Sequence, residues 1–297
     1  MTEYKACKLC ARECGVNREE KTGFCGVPDR LYISRAALHF WEEPIISGER
    51  GSGTVFFSGC SLRCEYCQNR EISRGISGVL VSVERLAEIM LELQAKGANN
   101  VNFVTPTHYA PSIIKATARA REGGLSIPTV YNTASYDTPE TIRSLSGTVD
   151  VYLPDLKYYR PETAKRYSSA ENYPSVARAA ISEMVKSTGR AELGDDGMIK
   201  RGTVVRVLLL PGHLAEAKLN LKYLYSTYGD DIYVSLMSQY TPPADMPSPL
   251  NRRVTRGEYF ELCDYADSLG ITRGFIQEFE SAEESFIPPF DNTGVLK

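Results

Sequence analysis

A chain of 297 residues, 42% hydrophobic and 24% charged, is long enough to bury a substantial core and too apolar to be mainly disordered. Its 34 basic and 37 acidic residues leave a formal net charge of −3, which gives no global pull toward nucleic acid or an anionic membrane. No stretch approaches the roughly 18 uninterrupted apolar residues of a membrane span.

The amino-terminal fifty residues are rich in cysteine, glycine and charge, with weak periodicity. Residues 1–50 therefore read as a compact cap held by its ligands, and residues 51–297 as the main domain. From residue 51 onward short runs rich in β-branched and aromatic residues recur. Candidate strands are Thr54–Ser58, Val101–Thr105, Pro128–Asn132, Val149–Leu153, Thr203–Leu210 and Ile232–Leu236, with a further short run at Gly274–Phe279. Helical signals separate them. Ser82 caps a helix carrying Leu86, Ile89, Met90 and Leu93, and Gly97 ends it. Thr138-Pro139 is a cap-then-first-turn start, Leu214 to Tyr228 carries an apolar stripe, and Thr255 precedes a helix with Tyr259, Leu262, Cys263 and Ala266 on one face. Six strands alternating with helices predict an α/β fold with a parallel sheet, either open or an incomplete barrel. Its chemistry should gather at the carboxyl ends of the strands.

Eight cysteines are unevenly distributed: Cys7, Cys10, Cys14, Cys25, Cys60, Cys64 and Cys67 lie in the first quarter, and Cys263 stands apart as a core thiol on an apolar stripe. A disulfide framework suits small secreted chains. Here the sequence opens without an apolar secretory region, so thiolate ligation in a reducing cytoplasm is expected. Cys60, Cys64 and Cys67 form a C-x3-C-x2-C loop straight after the first strand. Three thiolates suit a [4Fe–4S] cluster with one open iron, and a zinc ion would need a fourth ligand from elsewhere. Cys7, Cys10, Cys14 and Cys25 supply a complete set of four, for zinc or for a second [4Fe–4S] cluster.

The segment GCSLRCEYCQN, with Tyr66 just before the last cysteine, resembles the cluster loop of the radical S-adenosylmethionine (SAM) superfamily. The whole chain, including ALHFWEEP and GSGTVFFSGC, is similar to a group of proteins described as pyruvate formate-lyase activating enzyme-like. The resemblance implies a partial (β/α)6 barrel. It also implies a cluster whose open iron chelates SAM, reductive cleavage to a 5′-deoxyadenosyl radical, and hydrogen abstraction from a substrate. It implies catalytic roles for Cys60, Cys64 and Cys67, and SAM contacts at strand ends from Thr105, Thr107, His108 and Asn132. Asp155-Leu156-Lys157 resembles the Asp-Leu-Lys motif of glycyl-radical-enzyme activases, and Arg206 and His213 fall where that branch carries further polar residues. Implied partners are an electron donor such as flavodoxin or ferredoxin, and either a glycyl-radical enzyme or a peptide or small-metabolite substrate. A non-catalytic iron–sulfur or zinc scaffold is the rival of another class. His39 reads as structural, with Glu42 and Glu43 beside it retaining a polar role.

Overall fold

The computed structural model describes residues 4–277 and 287–297. Its strands are β1 (Leu31–His39), β2 (Ser52–Phe57), β3 (Val79–Val81), β4 (Val101–Val104), β5 (Thr129–Thr133), β6 (Val151–Pro154), β7 (Glu192–Leu193), β8 (Ile199–Leu208), β9 (Tyr233–Met237) and β10 (Gly274–Ile276). Its helices are α1 (Pro44–Ser47), α2 (Arg70–Ser73), α3 (Val83–Ala95), α4 (Ala110–Glu122), α5 (Pro139–Ser144), α6 (Pro161–Ser168), α7 (Tyr173–Thr188), α8 (Leu214–Tyr228) and α9 (Arg256–Leu269). One sheet runs β10-β9-β8-β6-β5-β4-β2-β1-β3, with β7 paired to β8. Every neighbouring pair from β2 to β10 along this path is parallel. The six expected strands are all present, and the run at 274 adds β10; residues 278 and 279 of that run lie outside the described residues.

Strands β2, β4, β5 and β6 are buried along their whole length, as strands covered on both faces must be. Apolar side chains face the surrounding helices. Leu86, Ile89 and Met90 of α3 and Ile113 of α4 pack on Ile33, Val55, Phe57 and Phe103. Ile181 of α7, Leu221 and Leu224 of α8 and Leu262 of α9 pack around Val205, Val207 and Leu236. The helices start where the sequence places caps. The Ser82 hydroxyl accepts from the Arg85 amide, the Thr138 hydroxyl accepts from the Thr141 amide, and Thr255 forms a reciprocal capping box with Glu258.

The sheet crosses the expected boundary at residue 50. Strand β1 pairs antiparallel with β2 on one side and with β3 on the other, so residues 31–39 belong to the sheet and not to a separate cap. Its alternation of buried and half-buried side chains fits a strand near the sheet edge. Because β1 runs against β2, His39 pairs with Ser52 at the amino-terminal end of β2. The chain then turns beneath the parallel strands, and α1 closes that mouth as a floor. Asn99 and Asn100, just before β4, hold it by donating from their side-chain amides to the carbonyls of Ser47 and Ile46. Ser52 Oγ in turn donates to Asn100 Oδ1 at 2.6 Å.

The residues before β1 occupy the opposite mouth. Ala11 donates its amide to the Tyr136 carbonyl beyond β5, Thr138 Oγ1 donates to the Lys8 carbonyl, and Arg12 donates to the carbonyls of Ser61 and Ser168. A single nine-residue strand therefore joins a roof at one end of the parallel strands to a floor at the other. Replacing Asn100 with Ala should leave the Ile46 carbonyl buried without a donor. Stability should fall by about 1–3 kcal/mol, measured by urea unfolding under anaerobic conditions.

Candidate active site

Three features shape the loop after β2. Gly59 lies at φ +85, and a side chain there would meet the Cys25 carbonyl at 2.7 Å, so the tight turn requires glycine. The Gly59 amide donates to the Ile72 carbonyl and the Cys60 amide to the Cys25 carbonyl, fastening the loop to both flanks. The ring of Tyr66 meets Tyr158, Tyr167 and Tyr240 edge-on, which anchors the loop's last turn in the core.

Cys60, Cys64 and Cys67 border one cavity of about 190 Å³. Burial pushes the Cys60 thiol up, and burial with the neighbouring Cys64 and Cys60 pushes Cys67 up to about 12. Three thiolates crowded in a buried place are therefore costly unless a cationic group holds them together. The amides of Leu62 and Arg63 both point at Cys60 Sγ, at 3.4 Å each, and favour its anionic form. Among the described residues, no three His, Cys, Asp or Glu lie close enough to hold a single metal ion. An all-sulfur donor set that repels itself and gathers around a cavity fits an iron–sulfur cluster.

Polar side chains from the floor and the strands meet in the same cavity. Arg206 of β8, 9% exposed, is the hub. Its Nε donates to Asp155 Oδ1 at 2.7 Å, Nη1 to Glu42 Oε2 at 3.1 Å and Nη2 to Asn132 Oδ1 at 2.6 Å. Glu42 Oε1 also accepts from the amides of Asn102 and Asn132, both at 3.1 Å. Lys157 Nζ lies 2.8 Å from Asp155 Oδ2. Burial alone would raise Asp155, but Arg206 and Lys157 outweigh it and hold the carboxyl below its usual range. Burial works against the charges of Arg206 and Lys157 too, yet the facing carboxylates raise both above their ordinary values. Burial raises Glu42 against the pull of Arg206. It raises Glu43 to about 7, with Arg206 opposing and Glu42 reinforcing the rise.

Of the residues singled out in the sequence, Tyr66, Thr105, Asn132, Asp155, Lys157 and Arg206 border this cavity together with the three thiols. Thr107, His108 and His213 do not, contrary to expectation. Thr105 takes a left-handed turn at φ +58, and the following 3-10 turn carries its neighbours away. His108 is buried with Nε2 2.8 Å from the Ser58 carbonyl, and Thr107 faces Thr133. His213 packs on Tyr167, 3.1 Å from its hydroxyl, with Nδ1 toward Glu216. Sequence reading missed the full part played by the floor. Glu42, Glu43, His39 and Trp41 all border the cavity, and the signal was an acidic pair set inside the apolar run HFWEEPII.

The amino-terminal thiols also approach one another. Cys7, Cys10 and Cys25 are buried and Cys14 is exposed. A side chain at Gly23 would meet Cys14 Sγ at 3.2 Å and Cys25 Sγ at 3.7 Å. Arg18, fully buried, donates to the carbonyls of Val27, Pro28 and His108, and its Nη1 lies 4.0 Å from Cys7 Sγ. Among the described residues it makes no carboxylate ion pair, and Cys25 and Cys7 are its nearest sources of negative charge. Cys263 is buried on α9, as a core thiol should be.

A family model of the radical SAM superfamily matches residues 54–213, from β2 to the turn after β8. The chain belongs to the radical SAM superfamily. Membership implies a [4Fe–4S] cluster and SAM as cofactors. An uncharacterized protein of Methanocaldococcus jannaschii is 30% identical over 279 residues, covering 90% of this chain and 76% of that one. Among solved structures, the chain is similar in fold to Streptococcus suis SuiB bound to precursor peptide SuiA, with a TM-score of 0.50 and 11% identity over 74% of this chain and 46% of SuiB. Methylornithine synthase PylB gives a TM-score of 0.48 at 14% identity, covering 90% and 75%. The chain spans about half the length of SuiB. The run of parallel strands from β2 to β10 agrees with the expected partial barrel. Among the described residues no helix is long and apolar enough to cross a membrane.

Removing the hub should be severe. Arg206→Gln leaves Glu42 as a buried anion without a cation and Asp155 with Lys157 alone, and should cost about 3–5 kcal/mol in denaturant unfolding. Acid should weaken the fold through His108, whose pKa burial, then Arg18, lowers to about 3. Its stabilising share is present above the unfolded value of about 6.5 and is lost as pH falls toward 3, by up to about 1.4 kcal/mol per pH unit. His108→Gln should flatten the loss of thermal stability measured between pH 6.5 and pH 4.

Proposed function

We propose that this chain is a radical SAM enzyme whose catalytic cluster is held by Cys60, Cys64 and Cys67. The observation that carries the reading is the shared cavity, in which these thiols meet a buried, ion-paired set of polar groups from the strand ends and the floor. A [4Fe–4S] cluster held there by Cys60, Cys64 and Cys67 would supply one-electron reduction of SAM and, through it, hydrogen-atom abstraction from a substrate. The chain's own residues supply order and seclusion. Arg206 fixes Asp155, and Asp155 fixes Lys157 beside the thiols, leaving carboxylate and ammonium groups suited to the amino and carboxylate ends of SAM. Asn132 and Thr105 border the same space with polar groups suited to the ribose. The floor of α1 and the roof before β1 close the two mouths. A primary radical is thereby kept from solvent and held close to its target.

The amino-terminal Cys7, Cys10, Cys14 and Cys25 form a second thiolate site. We assign it a second iron–sulfur group in preference to zinc. The reading is supported by the buried Arg18 beside these thiols, its Nη1 4.0 Å from Cys7 Sγ. Low-potential electrons enter from a flavodoxin or ferredoxin. The substrate is a peptide or small metabolite reaching the cavity. A protein glycine, as in the activases, is supported by sequence likeness, chiefly at Asp155-Leu156-Lys157. The functional division is a roof of residues 4–30 and a barrel with its own floor from residue 31.

Anaerobic reconstitution tests both assignments. Wild-type protein should bind about eight irons per chain, against about four with one zinc in the zinc alternative. On reduction in the presence of SAM it should form 5′-deoxyadenosine, and Cys60→Ala should fall to background. A fully loaded wild type that forms none, or a Cys60→Ala variant that retains it, overturns the function.

A further inference from the structure

Charged groups in the cavity form a ladder. It leads from the thiols to Lys157, from Lys157 to Asp155, from Asp155 to Arg206, and from Arg206 to the floor carboxylates Glu42 and Glu43. Three carboxyl groups in this cavity face two cations, so above about pH 7, where Glu43 gives up its proton, one negative charge is left over. The cofactors do not cancel it. A [4Fe–4S]²⁺ group on three thiolates carries net −1, and SAM, with sulfonium, ammonium and carboxylate, carries net +1.

The surplus lies at Glu43. Glu42 has both oxygens engaged, by Arg206 and by Asn102 and Asn132. Glu43 is 7% exposed, and its Oε2 is buried with no hydrogen-bond partner. Ser235 of β9 hydrogen-bonds the Glu43 carboxyl, but Oε2 is left over, and a buried carboxylate oxygen without a donor costs stability. Across the same cavity Gln277 Oε1 is likewise buried and unpartnered. Both vacant atoms are acceptors, so what completes them must be a donor. Phe56, Trp41, Leu208 and Met237 border the remaining wall with apolar surface that suits an aliphatic stem. A positive head on an alkyl chain satisfies charge, hydrogen bonding and shape together.

We infer that Glu43 is the recognition group for a primary alkylammonium on the substrate, which enters the barrel stem against Trp41 and Phe56 and head against the floor. The inference rests on the radical SAM reading, which makes this cavity the place where a substrate must lie. The carboxylate holds the substrate's charged end at the far end of the ladder from the thiols, which leaves the carbons nearer the cluster loop open to hydrogen abstraction. An amine metabolite and a lysine side chain of a peptide share this chemistry.

Titration of the purified full-length chain tests it without any turnover. The probes are butylamine, the tripeptide acetyl-Gly-Lys-Gly-amide, and butanol and butyrate as uncharged and anionic controls. At least one amine probe should bind about tenfold or more tightly than butanol, and Glu43→Gln should erase that preference while Glu43→Asp keeps part of it. Tighter binding of butylamine than of the tripeptide marks a metabolite, and the reverse marks a peptide. Thermal unfolding gives a second reading. Glu43→Gln should melt higher than wild type at pH 8 without ligand, because it removes an unpaired buried charge. A lower melting temperature would mark Glu43 as a structural tie. That result, equal binding of amine and butanol, or an amine preference undiminished in Glu43→Gln, overturns the inference. A wild type that prefers amines yet forms no 5′-deoxyadenosine overturns the radical reading instead, so the two failures are separable.

Discussion

A buried guanidinium has to be paired in several directions at once, and the interior of this protein is arranged around that requirement. Arg206 projects from β8 into the barrel and is met by Asp155 beyond β6, Asn132 on β5 and Glu42 from the floor. Each partner comes from a different segment, so one side chain fixes the relative positions of three strand ends and of the turn beneath them. An isolated ion pair at this depth would hardly repay its desolvation. Here the fork satisfies three acceptors, and each acceptor is held by another contact. The result is specificity of shape: Lys157 is delivered beside the thiols because Asp155 cannot turn elsewhere.

The amino-terminal segment gives this interior its two lids. Residues before β1 cover the carboxyl ends of the strands near the cluster loop, and residues after β1 close the amino ends. The same segment thus carries four cysteines at one end of the strands and a carboxylate floor at the other. Radical chemistry needs both proximity and exclusion of water, and the two lids favour both.

Much of this was legible in the sequence, for identifiable reasons. Buried parallel strands announce themselves as short runs of β-branched and aromatic residues, and the caps at Ser82, Thr138 and Thr255 mark helix starts through local hydrogen bonds. Cys60, Cys64 and Cys67 are close in sequence, so their convergence could be read from spacing. Strand-end logic also found Asn132, Asp155, Lys157 and Arg206. It failed at His108 and His213, because a strand end names a region and not a direction: the left-handed turn at Thr105 sends His108 to the Ser58 carbonyl. Strand β1 was missed because its antiparallel, half-buried pattern is weaker than that of its parallel neighbours. With β1 unassigned, the acidic pair at 42 and 43 had no place in the barrel, and its role depended on a contact with Arg206 far along the chain.

That separation also sets the order in which the protein can be completed. Glu42 and Arg206 are 164 residues apart, and Glu42 to Asn132 spans 90. Closure entropy rises with separation, if slowly, so these contacts are expected to form after α3, α4 and the local strand pairings around them. On the ribosome the cysteine loop and the floor emerge long before β8 exists, so the acidic turn waits without its counter-ion while the thiols are already made. The tie between the floor and the strand ends thus joins two distant parts of the chain, whereas the floor's other ties, to Asn99 and Asn100, span about a third of that separation.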